Sequence, residues 1–345
     1  MELSSLAALY AEEEPFATVY LEGRSPGEDA ADQVRLRWEN LRGRLAADGA
    51  TEAALAAIDE ALSREKAGEE QTDGRVLVAS GSGRLALDEP WDASLGAGDG
   101  ARWGPLPELG PYVRQAAEAA RVLLVVAAQE DAQVSTLTVT ADHHYEELAQ
   151  VSFQGSAAEG PHHPREGALS HRQIQRRADE AVKQNAKDIA AALTDLSGRH
   201  APDLVVLAGE VQGRSALRSQ LPAALPAPVA ETDRGGAVDD RAREALDEEV
   251  LRLVTEHVEQ RLADNASRLR EAQGHDNAVE GGEQLLQAAG TGALETLVLE
   301  AGTAADHEAR LLQGAAQSGT TLELVPHGTG LKNGSAGILR FSPRG

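Results

Sequence analysis

The chain lacks cysteine and has few aromatic residues: its 345 residues include no Cys, and Phe, Trp and Tyr together make up 3%. Without cysteine there are no disulfides, no thiolate zinc sites and no cysteine nucleophile, which fits a reducing compartment. The scarcity of aromatic rings leaves little material for a surface on which nucleic-acid bases stack. Any chemistry must therefore come from other side chains.

Long apolar runs are also missing from the sequence. No stretch of about 18 apolar residues is present to span a bilayer. The opening stretch, MELSSLAALYAEEEPF, has neither the basic start nor the long apolar run of a signal peptide. We therefore expect a cytoplasmic protein that makes no contact with a membrane.

Basic residues are outnumbered, since 32 Lys and Arg against 56 Asp and Glu give a formal net charge of -24. Nucleic-acid-binding proteins usually carry an excess of Lys and Arg, so this chain would repel a phosphate backbone at long range. Any contact with RNA must then be local. The alternative is that the acidity only keeps the protein soluble.

The order of predicted elements favours an α/β fold in three domains, residues 1–118, 119–273 and 274–345. In the first, the strand PFATVYLEG is followed by two helical runs and the hairpin RVLVASGSGRLALDEPW. The second opens with the strands RVLLVVAAQ, QVSTLTVT and EELAQVSFQG, continues with a helix and the strand DLVVLAGE, and ends in a long helix. The third is a small α/β unit in which helices and strands alternate.

The segment EGPHHPREGALSHRQIQRRADEAVKQNAKDIAAAL, residues 159–193, changes from a loop of His, Pro and Gly into a helix. Ser170 to Gln173 fits the S-x-x-Q capping pattern, which predicts that the helix starts there. At about 100° per residue, four cations fall within about 60° of one another. We call these the basic stripe: Arg172, Arg176, Lys183 and Lys187. The opposite side is predicted to be buried through Ile174, Ala178, Ala181, Ile189, Ala192 and Leu196.

Three motifs resemble the archaeo-eukaryotic peptide-chain release factor and Pelota superfamily, in the bacterial branch that contains the ribosome-hibernation factor Balon and its actinobacterial relatives. They are RVLLVVAAQEDAQV, GALSHRQIQRRADEAVKQNAKDIAAAL, and VEGGEQLLQAAGTGALETLVLE with the closing GTGLKNGSAGILRF. The helix motif is the most specific of the three. The resemblance implies a middle domain with an RNase H-like mixed sheet and long helices, which presents a loop to the peptidyl-transferase centre.

In release factors that loop carries Gly-Gly-Gln, and the glutamine positions the water that cleaves peptidyl-tRNA. The resemblance places Gly167, Ala168 and Leu169 at these three positions, and Arg176 on the family's helical arginine. Leu169 has no hydrogen-bonding group on its side chain, so it cannot orient a water molecule. We therefore expect no catalytic residue and no enzyme activity.

The resemblance implies a non-catalytic ribosome-binding factor of stress or dormancy that occupies the A site. Its expected partners are the ribosomal RNA of the A site and peptidyl-transferase centre, and the translational GTPase that delivers tRNA. The residues expected to contact RNA are Arg165, Gly167, Ala168, Leu169, His171, Arg172, Arg176, Lys183 and Lys187. Arginine supplies forked contacts to phosphate and lysine supplies point charges.

Other interpretations stay open at this point. The stripe could be an ordinary solvated helix face, softened by Asp179, Glu180 and Asp188. The protein could be a peptidyl-tRNA hydrolase that uses Gln173 or Gln175, or a stress-induced binding protein that makes no contact with the ribosome.

Two further motifs are weak. The pairs His143–His144 and His162–His163 lack a third ligand at a suitable spacing, and adjacent side chains usually point apart, so we expect no metal site. The turn-rich VPHGTGLKNGSAG lacks the G-x-x-x-x-G-K-[ST] pattern of a phosphate loop, so a connecting loop is favoured and no cofactor is expected.

Overall fold

The structure is a computed structural model. It describes residues 1–345 except 12, 23–29, 65–73, 92–97, 130, 140–144, 155–170, 223–224, 226, 236–239 and 342–345. Of residues 30–31, 145–148, 154 and 171–179 it describes the backbone alone.

The described elements alternate along the chain as expected of an α/β protein. The strands are β1 (Phe16–Leu21), β2 (Gly74–Ser80), β3 (Leu85–Trp91), β4 (Gly100–Gly104), β5 (Ala120–Ala127), β6 (Asp131–Val139), β7 (Tyr145–Gln154), β8 (Leu204–Gly209), β9 (Val229–Glu231), β10 (Ala278–Glu280), β11 (Leu294–Glu300), β12 (Thr321–Val325) and β13 (Ser335–Leu339). The helices are α1 (Ala30–Ala47), α2 (Glu52–Ser63), α3 (Gly110–Glu118), α4 (His171–His200), α5 (Val211–Gln220), α6 (Asp240–Gly274), α7 (Gly282–Gly290) and α8 (Glu308–Gln317). In this part of the chain no helix is long and apolar enough to cross a bilayer.

The chain divides into two compact units. One comprises residues 119–258, and the other joins residues 1–118 with residues 259–345. The first predicted boundary falls next to the start of the middle unit. The first and last of the three predicted domains thus lie in a single unit, and the division into three domains stays a prediction.

The middle unit contains one five-stranded mixed sheet in the order β7-β6-β5-β8-β9. β5, β6 and β7 form an antiparallel meander, whereas β8 and β9 run parallel to β5. In the unit's own numbering this is the strand order 3-2-1-4-5 of an RNase H-like sheet, so the predicted fold class is confirmed.

Both faces of this sheet are covered, as the continuous apolar run of β5 predicts. On one face Ile189, Leu193 and Leu196 of α4 pack with Leu217 of α5 against β5, β6 and β8. On the other face the first half of α6 covers the sheet with buried side chains, which are Leu246, Val250 and Val254. The central strands therefore form a firm platform for α4.

The other unit contains two four-stranded sheets. The N-terminal sheet has the order β3-β2-β1-β4 and is antiparallel throughout, and the C-terminal sheet has the order β10-β13-β11-β12. One apolar cluster joins them, because Leu3, Phe16 and Val113 from the start of the chain pack with Leu311 and Leu299 from its end. The two sheets therefore share this core, although they lie at opposite ends of the sequence.

Most predicted elements are present. The segment before β1, for which a short helix over residues 3–11 is predicted, forms two short 3-10 helices, Leu3–Leu6 and Leu9–Ala11. Four short elements were not predicted: β4, α3, α5 and β10. β4 and α3 are rich in Gly and Pro or flanked by them, and β4 forms through its antiparallel pairing with the distant β1.

Candidate nucleic-acid interface

The loop expected to enter the peptidyl-transferase centre lies outside the described residues, and so do Arg165, Gly167, Ala168 and Leu169. Helix α4 begins at His171, the residue after Ser170, as the capping pattern predicts. His171, Arg172 and Arg176 belong to its first two turns, where the backbone alone is described.

Lys183 and Lys187 lie further along α4, and the side chains of both are exposed. They are four residues apart and therefore neighbours on one side of the helix. Ile189 and Leu196, predicted to face the core, are 3% and 7% exposed, so the helix has the orientation that the sequence pattern predicts. The described half of the basic stripe points to solvent.

These two lysines differ from several arginines of the same unit in their electrostatic environment. Arg121 lies 3.5 Å from Asp203, Arg218 lies 3.3 Å from Glu231, and Arg199 pairs with Asp195. By contrast, no carboxylate whose side chain the structure describes lies within ion-pair distance of Lys183 or Lys187. Within the described part of the unit, these two ammonium groups are therefore not neutralised by an ion pair.

Asn185, between the two lysines, holds the helix in this orientation. Its side chain is 2% exposed, and its Nδ2 donates to the backbone oxygen of Gln129 at 3.4 Å. Gln129 belongs to the turn after β5, so this contact ties α4 to the end of the central strand of the sheet. A rotation of the helix that buried the lysines would expose Asn185 and break the bond.

We expect Asn185→Ala to lower the free energy of unfolding by about 1 to 3 kcal/mol, because a buried amide contact is lost. Thermal unfolding followed by circular dichroism measures this. Gln184→Ala is the control, since Gln184 is an exposed neighbour whose described hydrogen bond is to Asp188 on its own helix. Equal losses in the two variants would show that Asn185 does not anchor the helix.

The glycine-rich loop after β12 is built around an internal carboxylate. Glu300, at the end of β11, is 6% exposed and accepts backbone N–H groups from Gly328 at 2.7 Å, Gly330 at 3.2 Å and Leu331 at 3.1 Å. Burial raises the pKa of this carboxyl, but the three amides and the nearby His327 outweigh it, so the pKa lies below its ordinary value. Glu300 thus occupies the amides that a bound phosphate would need.

No group of three or more His, Asp or Glu among the described residues could hold a metal ion. The histidine pairs His143–His144 and His162–His163 lie outside the described residues. The sheet of the middle unit presents apolar side chains along β5, from Val122 to Val125.

Comparison with known families agrees with this picture. Residues 121–275 match the family described as bacterial archaeo-eukaryotic release factor family 2. The match covers the middle segment of the chain, and the resemblance to the release-factor-like superfamily predicted from the sequence motifs is confirmed at that level. The narrower resemblance to Balon stays a prediction.

Two relatives from Mycobacterium tuberculosis match most of the length of this chain. Uncharacterized protein Rv2629 of strain H37Rv and uncharacterized protein MT2704 of strain CDC 1551 are each 27% identical over 314 residues, which cover 87% of this chain and 78% of theirs.

Solved structures with some similarity include translation factors. Dom34 of S. cerevisiae, a translation termination-like factor, is 10% identical, with 98% of this chain and 90% of that chain covered and a TM-score of 0.42. Pelota of Archaeoglobus fulgidus is 16% identical, with 79% and 81% covered and a TM-score of 0.35.

Proposed function

We propose that this release-factor-like protein is a non-catalytic ribosome-binding factor that occupies the A site during stress or dormancy. The observation that carries the proposal is the pair of exposed cations Lys183 and Lys187, which have no carboxylate partner among the described side chains. They continue the line of Arg172 and Arg176 on α4, directly after the loop that release factors use at the peptidyl-transferase centre.

The chemistry of the loop supports binding without hydrolysis. Peptide release by the family's mechanism needs a side-chain amide that holds the attacking water. Leu169 offers no such group at the matching position. We therefore propose that the protein blocks the peptidyl-transferase centre by occupancy, through the RNA contacts of Arg165, Gly167 to Leu169, His171 and the basic stripe.

The distribution of charge is compatible with this contact. Residues 119–258 hold 14 of the 32 Lys and Arg and 22 of the 56 Asp and Glu, a formal charge of -8, so -16 of the total -24 belongs to the other unit. At physiological ionic strength charges are screened over about 8 Å, so the cations that touch RNA outweigh distant carboxylates. Attraction at the stripe can then overcome the net charge.

We expect the purified protein to co-sediment with ribosomes that carry peptidyl-tRNA and to release no peptide. Release that disappears in Gln173→Ala or Gln175→Ala would identify a peptidyl-tRNA hydrolase instead. Absence of co-sedimentation and of release would favour the binding protein without ribosome contact.

We further propose the tRNA-delivering GTPase as a partner, and expect its GTP-bound form to speed association with the ribosome.

A further inference from the structure

Arg114 on α3 makes its described side-chain contacts with a distant part of the sequence. This residue is 9% exposed, and its Nε donates to the backbone oxygen of Glu300 at 3.3 Å. Its two terminal nitrogens donate to the backbone oxygen of Thr303 and to the carboxylate of Glu308. The three acceptors belong to the last residue of β11 in the C-terminal sheet and to the segment after it, whereas α3 follows β4 of the N-terminal sheet.

Glu308 is enclosed at the same place. Its side chain is 11% exposed, like that of Arg114, and it also accepts the backbone N–H of Ala305 at 3.3 Å. The carboxylate lies against the first residue of α3, because a Cβ built on Gly110 would be 2.7 Å from its carboxyl carbon. The positive end of the α3 dipole therefore adds to the attraction of Arg114.

A pair of this kind is hard to separate. If α3 moved away from the β11–α8 loop, both charges would lose their partner, and an unpaired buried charge costs far more than a lost apolar contact. The apolar cluster shared by the two sheets has no such directional requirement.

We infer that Arg114 and Glu308 form a latch that makes the N-terminal and C-terminal sheets unfold together as one cooperative unit. Sequence order alone would assign these sheets to separate domains. The latch holds the first segment of the chain to the last one through specific hydrogen bonds.

The tryptophans allow a direct test. All three, Trp38, Trp91 and Trp103, belong to the segment of the N-terminal sheet, so their fluorescence reports unfolding there. Val298 on β11 packs with Leu269 on the side of the C-terminal sheet away from the shared cluster. Val298→Ala should lower the midpoint of the fluorescence transition by about 5 °C, although no tryptophan is near. An unchanged midpoint would overturn the inference.

The double variant Arg114→Met with Glu308→Met removes both charges and leaves none unpaired, so it should fold. In this background we expect Val298→Ala to leave the fluorescence midpoint unchanged. A shift as large as in the unaltered chain would mean that the apolar cluster couples the sheets and that the latch does not.

A second variant keeps the inference testable if the double variant does not fold. Gly110→Ala inserts a methyl group against the Glu308 carboxylate and should lower the fluorescence midpoint by several degrees, about 4 to 8 °C. Gly43→Ala in α1 is the matched control, because nothing lies within 4 Å of its added Cβ. Equal midpoints for the two variants would contradict the latch.

Discussion

Lys183→Glu combined with Lys187→Glu is expected to weaken binding to the ribosome by at least about 100-fold. Each lysine is exposed and free of described carboxylate partners, so each can bond a phosphate. A hydrogen bond to a charged partner contributes roughly 1.5 to 3 kcal/mol, and two such bonds account for the expected loss. Filter binding or sedimentation at several salt concentrations measures both the affinity and its salt dependence.

The salt dependence of binding shows whether the lost affinity comes from lost phosphate contacts. Each phosphate contact adds about 0.7 to 0.9 to the slope of the logarithm of affinity against the logarithm of salt concentration. The double variant should therefore lower the slope by about 1.4 to 1.8.

The matched control is Arg241→Glu with Arg243→Glu, on the exposed side of α6 in the same unit. It changes the net charge by the same amount, away from the stripe. If both double variants weaken binding equally, the effect is general repulsion and the stripe is not the interface. If neither does, the ribosome is not contacted through α4.

Glu300→Gln is expected to cause a large loss of stability, about 3 to 5 kcal/mol, because an amide side chain can accept fewer of the three converging N–H groups. The exposed Glu295→Gln on the same strand is the control and should change stability by less than about 0.5 kcal/mol. Chemical denaturation of both variants measures the difference. Similar values would show that Glu300 does not organise the loop.

The loss of stability caused by Glu300→Gln should depend on pH. Because the folded pKa of Glu300 is depressed, its contribution is fully present above the ordinary glutamate pKa of about 4.3 and is lost as pH falls through the lower folded value. The difference in stability between the unaltered chain and Glu300→Gln should therefore be constant from pH 5 to 7 and shrink below about pH 4. A difference that grows in acid would contradict the assigned direction.

The helices with a regular apolar period could be predicted from the sequence. Trp38, Leu41 and Leu45 of α1 are buried as their spacing predicts, and α4 buries Ile189 and exposes Lys183. Local periodicity suffices here because each helix packs one continuous side on a sheet. The strand β4 and the helix α3 could not be predicted, since their formation depends on partners far away in the chain.

The candidate site was predictable in part for the same reason. A helical period places the four cations of the stripe on one side, but nothing in the period shows that Asn185 reaches the backbone of Gln129, 56 positions away. Arg114 and Glu308 are 194 positions apart, and each looks like an ordinary surface residue in the sequence. Contacts of this kind appear only when the chain is folded.

Competition with tRNA tests the proposed function most directly. The affinity of the labelled protein should be measured for ribosomes with an empty A site and for the same ribosomes with tRNA bound there. We predict that A-site tRNA abolishes binding and that the protein, once bound, prevents tRNA from entering. Equal affinity for both kinds of ribosome would contradict the proposal that this protein acts by occupying the A site.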